Sequence, residues 1–367
     1  DVTPPVAIGK NISISLNNQG MAEIFPYQIN NGSSDECGID GMVLDKTIFT
    51  CEDVLTSPKS VVLTVTDIHG NASSCTAMVT VVDNVPPSVM CQNVIATLDV
   101  TGNAIITPFQ VDTGSSDACG IVSMALSKTG FTCEDIPTNP NPVVLTVTDI
   151  HGNTSSCTAM VTVVDNTPPS VVCHDVVVTL DATGNAIITP SQVDNGSSDA
   201  CGIATMALSK AGFTCADIPT NPNPVVLTVT DIHGNTSSCT AMVTVVDDTP
   251  PAVLCQNVVV TLDSSGNTIL NASQVDNGSS DACGIAGMVL SKTSFTCDDI
   301  LSNPNPVVLT LTDIHGNASS CTAMVTVADN TPPAVLCHNV SLTLDSSGNA
   351  ILNASQVDNG SSDACGI

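Results

Sequence analysis

The sequence predicts an all-β fold, a tandem and rod-like array of small β-sandwich modules held by two disulfides each. Three observations predict it. The chain repeats itself every 82 residues. Within each period, runs rich in Val, Ile and Thr are broken by Gly, Asn, Asp and Pro at intervals of about 8–12 residues. Each full period after the first carries four cysteines at fixed spacing, in a chain with no Trp and one Tyr.

The period is set by three markers in register. Thr-Asp-Ile-His-Gly-Asn recurs at Thr66–Asn71, Thr148–Asn153, Thr230–Asn235 and Thr312–Asn317. Gly-Ser-Ser-Asp-x-Cys-Gly-Ile ends at Ile39, Ile121, Ile203, Ile285 and Ile367, and Pro-Pro pairs begin at Pro4, Pro86, Pro168, Pro250 and Pro332. The repeats are therefore 1–82, 83–164, 165–246, 247–328 and a partial fifth, 329–367. Short solenoid units cannot bury a core alone, whereas an 82-residue unit is the size of a small independent domain. Such a domain buries a modest share of its surface. With about one Phe per repeat (Phe49, Phe131, Phe213, Phe295) it needs a covalent staple.

In the third repeat, Val171–Leu180 reads as a strand. Asp181-Ala-Thr-Gly-Asn185 reads as a turn, with Gly184 suited to positive φ. Further strands are expected at Ala186–Thr189, Ile203–Ser209, Val225–Thr230 and Thr236–Val246, separated by the polar loop Asp194–Gly202 and the Pro/Asn stretch Pro219–Pro224. In the last strand Cys239, Ala241, Val243 and Val245 alternate as an inward face. No window sustains a helical period.

Even cysteine spacing in a small module reads as a disulfide framework formed in an oxidising compartment. A zinc site would need close pairs such as Cys-x-x-Cys, and the chain has none. The ordered motifs Asp-x-x-Pro-Pro-x-x-x-Cys, Val-Asp-Asn-Gly-Ser-Ser-Asp-x-Cys-Gly-Ile and Leu-Thr-Val-Thr-Asp-x-x-Gly-Asn-x-Ser-Ser-Cys-Thr-Ala-x-Val-Thr-Val run through essentially the whole chain. Together they resemble hyalin-type (HYR) repeats, and still more the repeats of SprB-type giant surface adhesins of gliding Bacteroidota. The resemblance implies immunoglobulin-like modules, export to the cell surface, and a role in adhesion or gliding motility.

Four cysteines allow three connectivities. The layout of an immunoglobulin-like sandwich favours first with fourth and second with third. That predicts Cys91–Cys157, Cys119–Cys133, Cys173–Cys239, Cys201–Cys215, Cys255–Cys321, Cys283–Cys297 and, in the first repeat, Cys37–Cys51. The first repeat has Gly9 at the first cysteine position, which leaves Cys75 without a partner. A rival bond, Cys75–Cys91, explains Gly9 but must join two poles a module apart, while a disulfide needs Cα atoms within about 7 Å.

The chain has 35 acids, six lysines and a net charge of −29. Every repeat shares the acidity, so nucleic acid and anionic membrane surfaces are poor partners. The acids gather in the linkers (Asp83, Asp165, Asp247), in the loop before the second cysteine (Asp112, Asp117, Asp194, Asp199, Asp276, Asp281) and in the last hairpin (Asp149, Asp231, Asp313). These elements converge at one pole of an immunoglobulin-like module, and hard oxygen ligands suit calcium there. Asp-x-x-Gly-Asn is equally an ordinary hairpin turn, which is the favoured reading for the hairpin aspartates. The recurring His69, His151, His233 and His315 read as solvated turn residues.

Asn-x-Ser sequons stand at Asn11, Asn31, Asn71, Asn153, Asn195, Asn235, Asn271, Asn277, Asn317, Asn339, Asn353 and Asn359, all in expected turns or loops. No phosphate loop, nucleophile elbow or zinc-protease helix occurs, so no enzyme is expected. The leading functional expectation is an extracellular, secreted stalk or filament of a cell-surface adhesin. Its partners are neighbouring repeats and other copies in a filament. Alternatives are modules that bind a surface glycan or protein multivalently, and a fibre completed by strand addition.

Overall fold

The computed structural model describes all 367 residues. The chain forms two compact units. One comprises Asp1–Pro169 with Ser198–Ala204 and Thr230–Thr236; the other comprises Ser170–Ser197, Thr205–Val229 and Ser237–Ile367.

In the first unit, repeat 1 runs β1 (Ile12–Ser15), β2 (Met21–Glu23), α1 (Pro26–Ile29), β3 (Ile39–Leu44), β4 (Ile48–Thr50), α2 (Cys51–Leu55), β5 (Lys59–Asp67) and β6 (Ala72–Val82). Four strands form one sheet in the order β1-β6-β5-β3, while β2 and β4 form a second. The pairing of β1 with β6 is parallel, Ile12 to Val79 through Ser15 to Val82. The other pairs are antiparallel, and a bulge lies between Ile39 and Gly41. Period-2 alternation decides which face is inside. Val61, Leu63 and Val65 of β5 and Ala77, Val79 and Val81 of β6 are buried, as is Phe49 of β4, so the core lies between the two sheets. This is a β-sandwich.

Repeat 2 reproduces it with β7 (Val94–Thr97), β8 (Asn103–Ile105), α3 (Pro108–Val111), β9 (Ile121–Leu126), β10 (Gly130–Thr132), a 3-10 turn at Cys133–Asp135, β11 (Asn141–Asp149) and β12 (Thr154–Val164). Its sheets are β7-β12-β11-β9 and β10-β8. In the second unit, Val176–Thr179 pairs in parallel with Val243–Val246, and Asn185–Ile187 pairs antiparallel with Gly212–Thr214. Repeat 4 again forms the four-stranded and two-stranded sheets around Phe295, Leu309 and Val325. The partial fifth repeat keeps the bridges Ala334–Ser362 and Cys337–Asp358 and the turn Ala354–Val357.

Several strands are shorter than the composition suggests. Of Val171–Leu180 only Val176–Thr179 forms a strand, and Cys173 makes an isolated bridge to Asp194. The return strand is Asn185–Ile187 rather than Ala186–Thr189, and Pro224 lies inside the strand Asn223–Asp231. Thr236–Val246 coincides with its expected bounds. The sequence pattern misses Gly212–Thr214 and the single-turn helices. At three to six residues these helices are too short to show a 3.6-residue period. Local hydrogen bonds hold them instead: Gln28 Oε1 accepts the Phe25 N–H at 2.8 Å, and Asp53 Oδ2 accepts that of Thr50 at 3.0 Å.

Candidate functional site: the junction between repeats

Two of the cysteines in each of repeats 2, 3 and 4 leave the sandwich and bond to its neighbours. Seven disulfides form. Cys91–Cys157, Cys173–Cys239 and Cys255–Cys321 join the first and fourth cysteines within a repeat. The other four are Cys51–Cys119, Cys133–Cys201, Cys215–Cys283 and Cys297–Cys365, joining the third cysteine of one repeat to the second of the next. This replaces the expected Cys37–Cys51, Cys119–Cys133, Cys201–Cys215 and Cys283–Cys297 pairs. The physical reason lies in β9. It carries the chain roughly 20 Å away from Cys119, and the crossing to β10 leaves Cys133 facing the following repeat. Cys37, Cys75 and Cys337 are free.

The third cysteine is aimed by a glycine turn. Asn17–Met21 closes through the Gly20 N–H donated to the Asn17 carbonyl at 2.8 Å, with Gly20 at φ 71°. A Cβ on Gly20 would lie 2.7 Å from Cys51 Sγ and 3.2 Å from Ala118 Cβ, so the turn leaves no room for a side chain. Ala118 directly precedes Cys119, and the turn residue Asn18 lines a crevice with Val85, Pro86 and Ser116 of repeat 2. The disulfide spans Cα atoms 5.2 Å apart, and its three counterparts span 5.4, 5.3 and 5.1 Å, within the usual range.

The linker packs onto the repeat that it opens, through non-covalent and nearly dry contacts. Asp83 follows β6 and is 7% exposed. Its Oδ1 accepts the Val85 N–H at 3.0 Å, and its carbonyl accepts Asn153 Nδ2–H at 3.1 Å. Its Oδ2 lies 3.0 Å from Nδ1 of His151, whose side chain is 9% exposed. The carboxylate can only accept, so Nδ1 carries the hydrogen and Nε2 is left buried without a partner. Asp165 with His233 and Asp247 with His315 repeat the pair at 3.1 and 3.0 Å. These histidines are therefore junction residues rather than solvated turn residues; His69 is the exposed one.

The hairpin aspartates hold their own turns. Asp149 is fully buried and accepts the N–H groups of His151 and Asn153 and the Asn153 amide, at 2.8, 2.9 and 2.8 Å. Burial alone would raise its carboxyl, but these donors outweigh it and hold Asp149 below the ordinary carboxylate range, as they do Asp231 and Asp313. A carboxyl depressed in the fold stabilises it above the unfolded value of about 3.9, and that stabilisation is lost as pH falls through the lower folded value. Acid unfolding below about pH 4 is accordingly expected to be steeper in the native protein than in Asp149→Asn; identical acid profiles would contradict this role.

The loop aspartates present the second cysteine. Asp117, Asp199 and Asp281 each accept the N–H of the following cysteine residue (Cys119, Cys201, Cys283) at 2.8 Å. Asp112, Asp194 and Asp276 accept N–H groups of Gly and Ser in the same loop and are held below the ordinary range, chiefly by Ser115, Ser197 and Ser279. Around Asp83 the converging donor atoms are one carboxylate, the His151 imidazole and the already bonded Cys119 sulfur; Asp165 and Asp247 sit in matching clusters. Calcium takes six to eight oxygens, of which each of these three side-chain clusters supplies one carboxylate.

Of the sequons, Asn71, Asn153, Asn235 and Asn317 donate from their amide nitrogens both to Asp67, Asp149, Asp231 and Asp313 and to the carbonyls of Asp1, Asp83, Asp165 and Asp247, and a glycan would remove one of the two hydrogens. Asn11, Asn31, Asn195, Asn271, Asn277, Asn339, Asn353 and Asn359 are exposed.

No protein-family model matches the chain. It is similar to a protein named hyalin from Strongylocentrotus purpuratus, 29% identical over 222 residues, covering 59% of this chain and 18% of that protein. A hyalin from Lytechinus variegatus is 26% identical over 354 residues, covering 92% of this chain and 65% of the other. The chain thus spans less than two thirds of the relatives it matches. Among solved structures, a protocadherin gammaB4 extracellular domain aligns over 95% of this chain and 70% of its own, at 14% identity and TM-score 0.29. An eight-domain fragment of Down syndrome cell adhesion molecule aligns over 91% and 57%, at 9% and 0.23.

Proposed function

We propose that this chain is a load-bearing segment of an extracellular adhesive coat or matrix protein, with no enzymatic role, whose links are the repeats 1–82, 83–164, 165–246, 247–328 and 329–367. The observation that carries the proposal is the interlacing of the disulfides. Each boundary from repeat 1 onward is crossed by two covalent connections, the polypeptide linker and a disulfide such as Cys133–Cys201. Inside repeats 2, 3 and 4 the load again has two routes: the backbone between the second and third cysteines, and the first–fourth disulfide. Such a double rail is costly to assemble and has little use in a soluble binding module. It resists both extension and a single proteolytic cut.

Disulfides at this density form in oxidising compartments, which supports an extracellular setting. No helix is long and apolar enough to cross a membrane. The similarity to sea-urchin hyalins supports an extracellular repeat protein of the adhesion type. The acidity keeps such an array dispersed, because like-charged repeats repel.

Pulling the oxidised chain end to end tests the load-bearing reading. Cys215 follows Cys201 by 14 residues, so a fully unravelled oxidised repeat lengthens to roughly 50 Å, against roughly 290 Å after reduction. Release near the longer value without reductant would overturn the proposal. Calcium is not needed for stiffness in this account. Melting with and without a chelator is expected to coincide within error, and a drop of several degrees on chelation would restore calcium to the junction.

A further inference from the structure

The surface that receives a neighbour in repeats 2 to 5 is also built in repeat 1. Cys37 occupies the second-cysteine position and is a free, exposed thiol. Its counterparts Cys119, Cys201, Cys283 and Cys365 are all bonded to the third cysteine of the repeat before them. The rest of the socket is assembled too. Asp1, Cys37 and His69 offer ligand atoms within 4.8 Å of one another, the same grouping as Asp83, Cys119 and His151. Asp35 accepts the Cys37 N–H at 2.8 Å, as Asp117 does for Cys119. The Asn71 amide reaches the Asp1 carbonyl at 3.3 Å, as Asn153 reaches Asp83.

We infer that Cys37 is the disulfide acceptor for a further repeat of this kind, one presenting a glycine turn and a third-position cysteine. The inference rests on the junction reading above. Two residues of the socket differ: Glu36 stands where Ala118, Ala200, Ala282 and Ala364 pack against the turn glycine, and Val6 stands where Ser88 lines the crevice. Ala118 remains exposed in its junction, so a longer side chain has a path to solvent. The coupling consumes two thiols and one low-molecular-weight disulfide such as oxidised glutathione. Each cysteine gives up a proton and an electron to form the S–S bond, and two glutathione thiols are released.

The test is the full chain with a copy of residues 247–328 fused directly ahead of Asp1, which reproduces the natural step from Ala328 to Asp329. After oxidation in glutathione buffer, Cys37 is expected to resist alkylation and to map to a peptide containing the copy's counterpart of Cys297. In the same fusion carrying Cys37→Ser, that counterpart is expected to become alkylatable. If Cys51–Cys119 is present while Cys37 still alkylates, the inference fails and the junction reading stands. If Cys51–Cys119 is itself absent, both fail.

Discussion

Replacing Phe131 by Ala is expected to destabilise repeat 2 by about 3–5 kcal/mol, the usual cost of emptying a buried aromatic site. The ring is 1% exposed and sits in the single core of a small domain, whose total stability is of order 4–12 kcal/mol. It also organises the local charges. Lys128 Nζ lies 4.9 Å from the ring centroid and 2.5 Å from Asp135, whose second oxygen accepts the Thr132 N–H at 3.0 Å. The Lys128 ammonium and the Thr132 N–H hold Asp135 below the ordinary carboxylate range. Denaturant titration, with hydrogen exchange read at Val143–Val147, measures the loss locally. A change under about 1 kcal/mol would mean that Phe131 is not central to the core. Phe131→Leu, which leaves a smaller void, is expected to lose less than half as much.

Replacing Gly9 by Cys is expected to stabilise repeat 1 by about 4 kcal/mol through a new bond to Cys75 closing a 66-residue separation. A Cβ on Gly9 would lie 3.1 Å from Cys75 Sγ, close to the roughly 3 Å that bonded sulfurs impose. Gly9 has no positive φ, so a side chain meets no backbone strain. Gly9 already bridges Asn30 as Cys91 bridges Asp112. The readout is loss of the Cys75 thiol together with a higher unfolding midpoint that reverts on reduction. A free Cys75 in the variant would contradict the geometry.

The sandwich was legible because alternation in strands such as Thr236–Val246 reports burial directly, and the 82-residue register repeats that signal. The first–fourth bonds were legible for the same reason, since Cys91 and Cys157 lie on elements whose order fixes their proximity. The second–third pairing was not. Short sequence separation between Cys119 and Cys133 suggests a local loop, and only the placement of β9 and β10 shows that the two face different neighbours. A signal was present: Gly20, Gly102, Gly184 and Gly266 recur as faithfully as the cysteines, and a glycine this crowded implies a close approach from outside its own strand pair. Likewise the linker aspartates stood out by position, but their partner histidines, 68 residues later, could not be paired without the hairpin's placement.

The central claim is that covalent bonds cross the repeat boundaries. Non-reducing proteolytic mapping tests it most directly. The account predicts a disulfide-linked peptide pair containing Cys51 and Cys119, with matching pairs for Cys133 and Cys201 and for Cys215 and Cys283, and Cys37 recovered as an alkylated thiol. Peptides linking Cys37 to Cys51 and Cys119 to Cys133 would contradict it, and would return each repeat to a self-contained module joined to its neighbours by the linker alone.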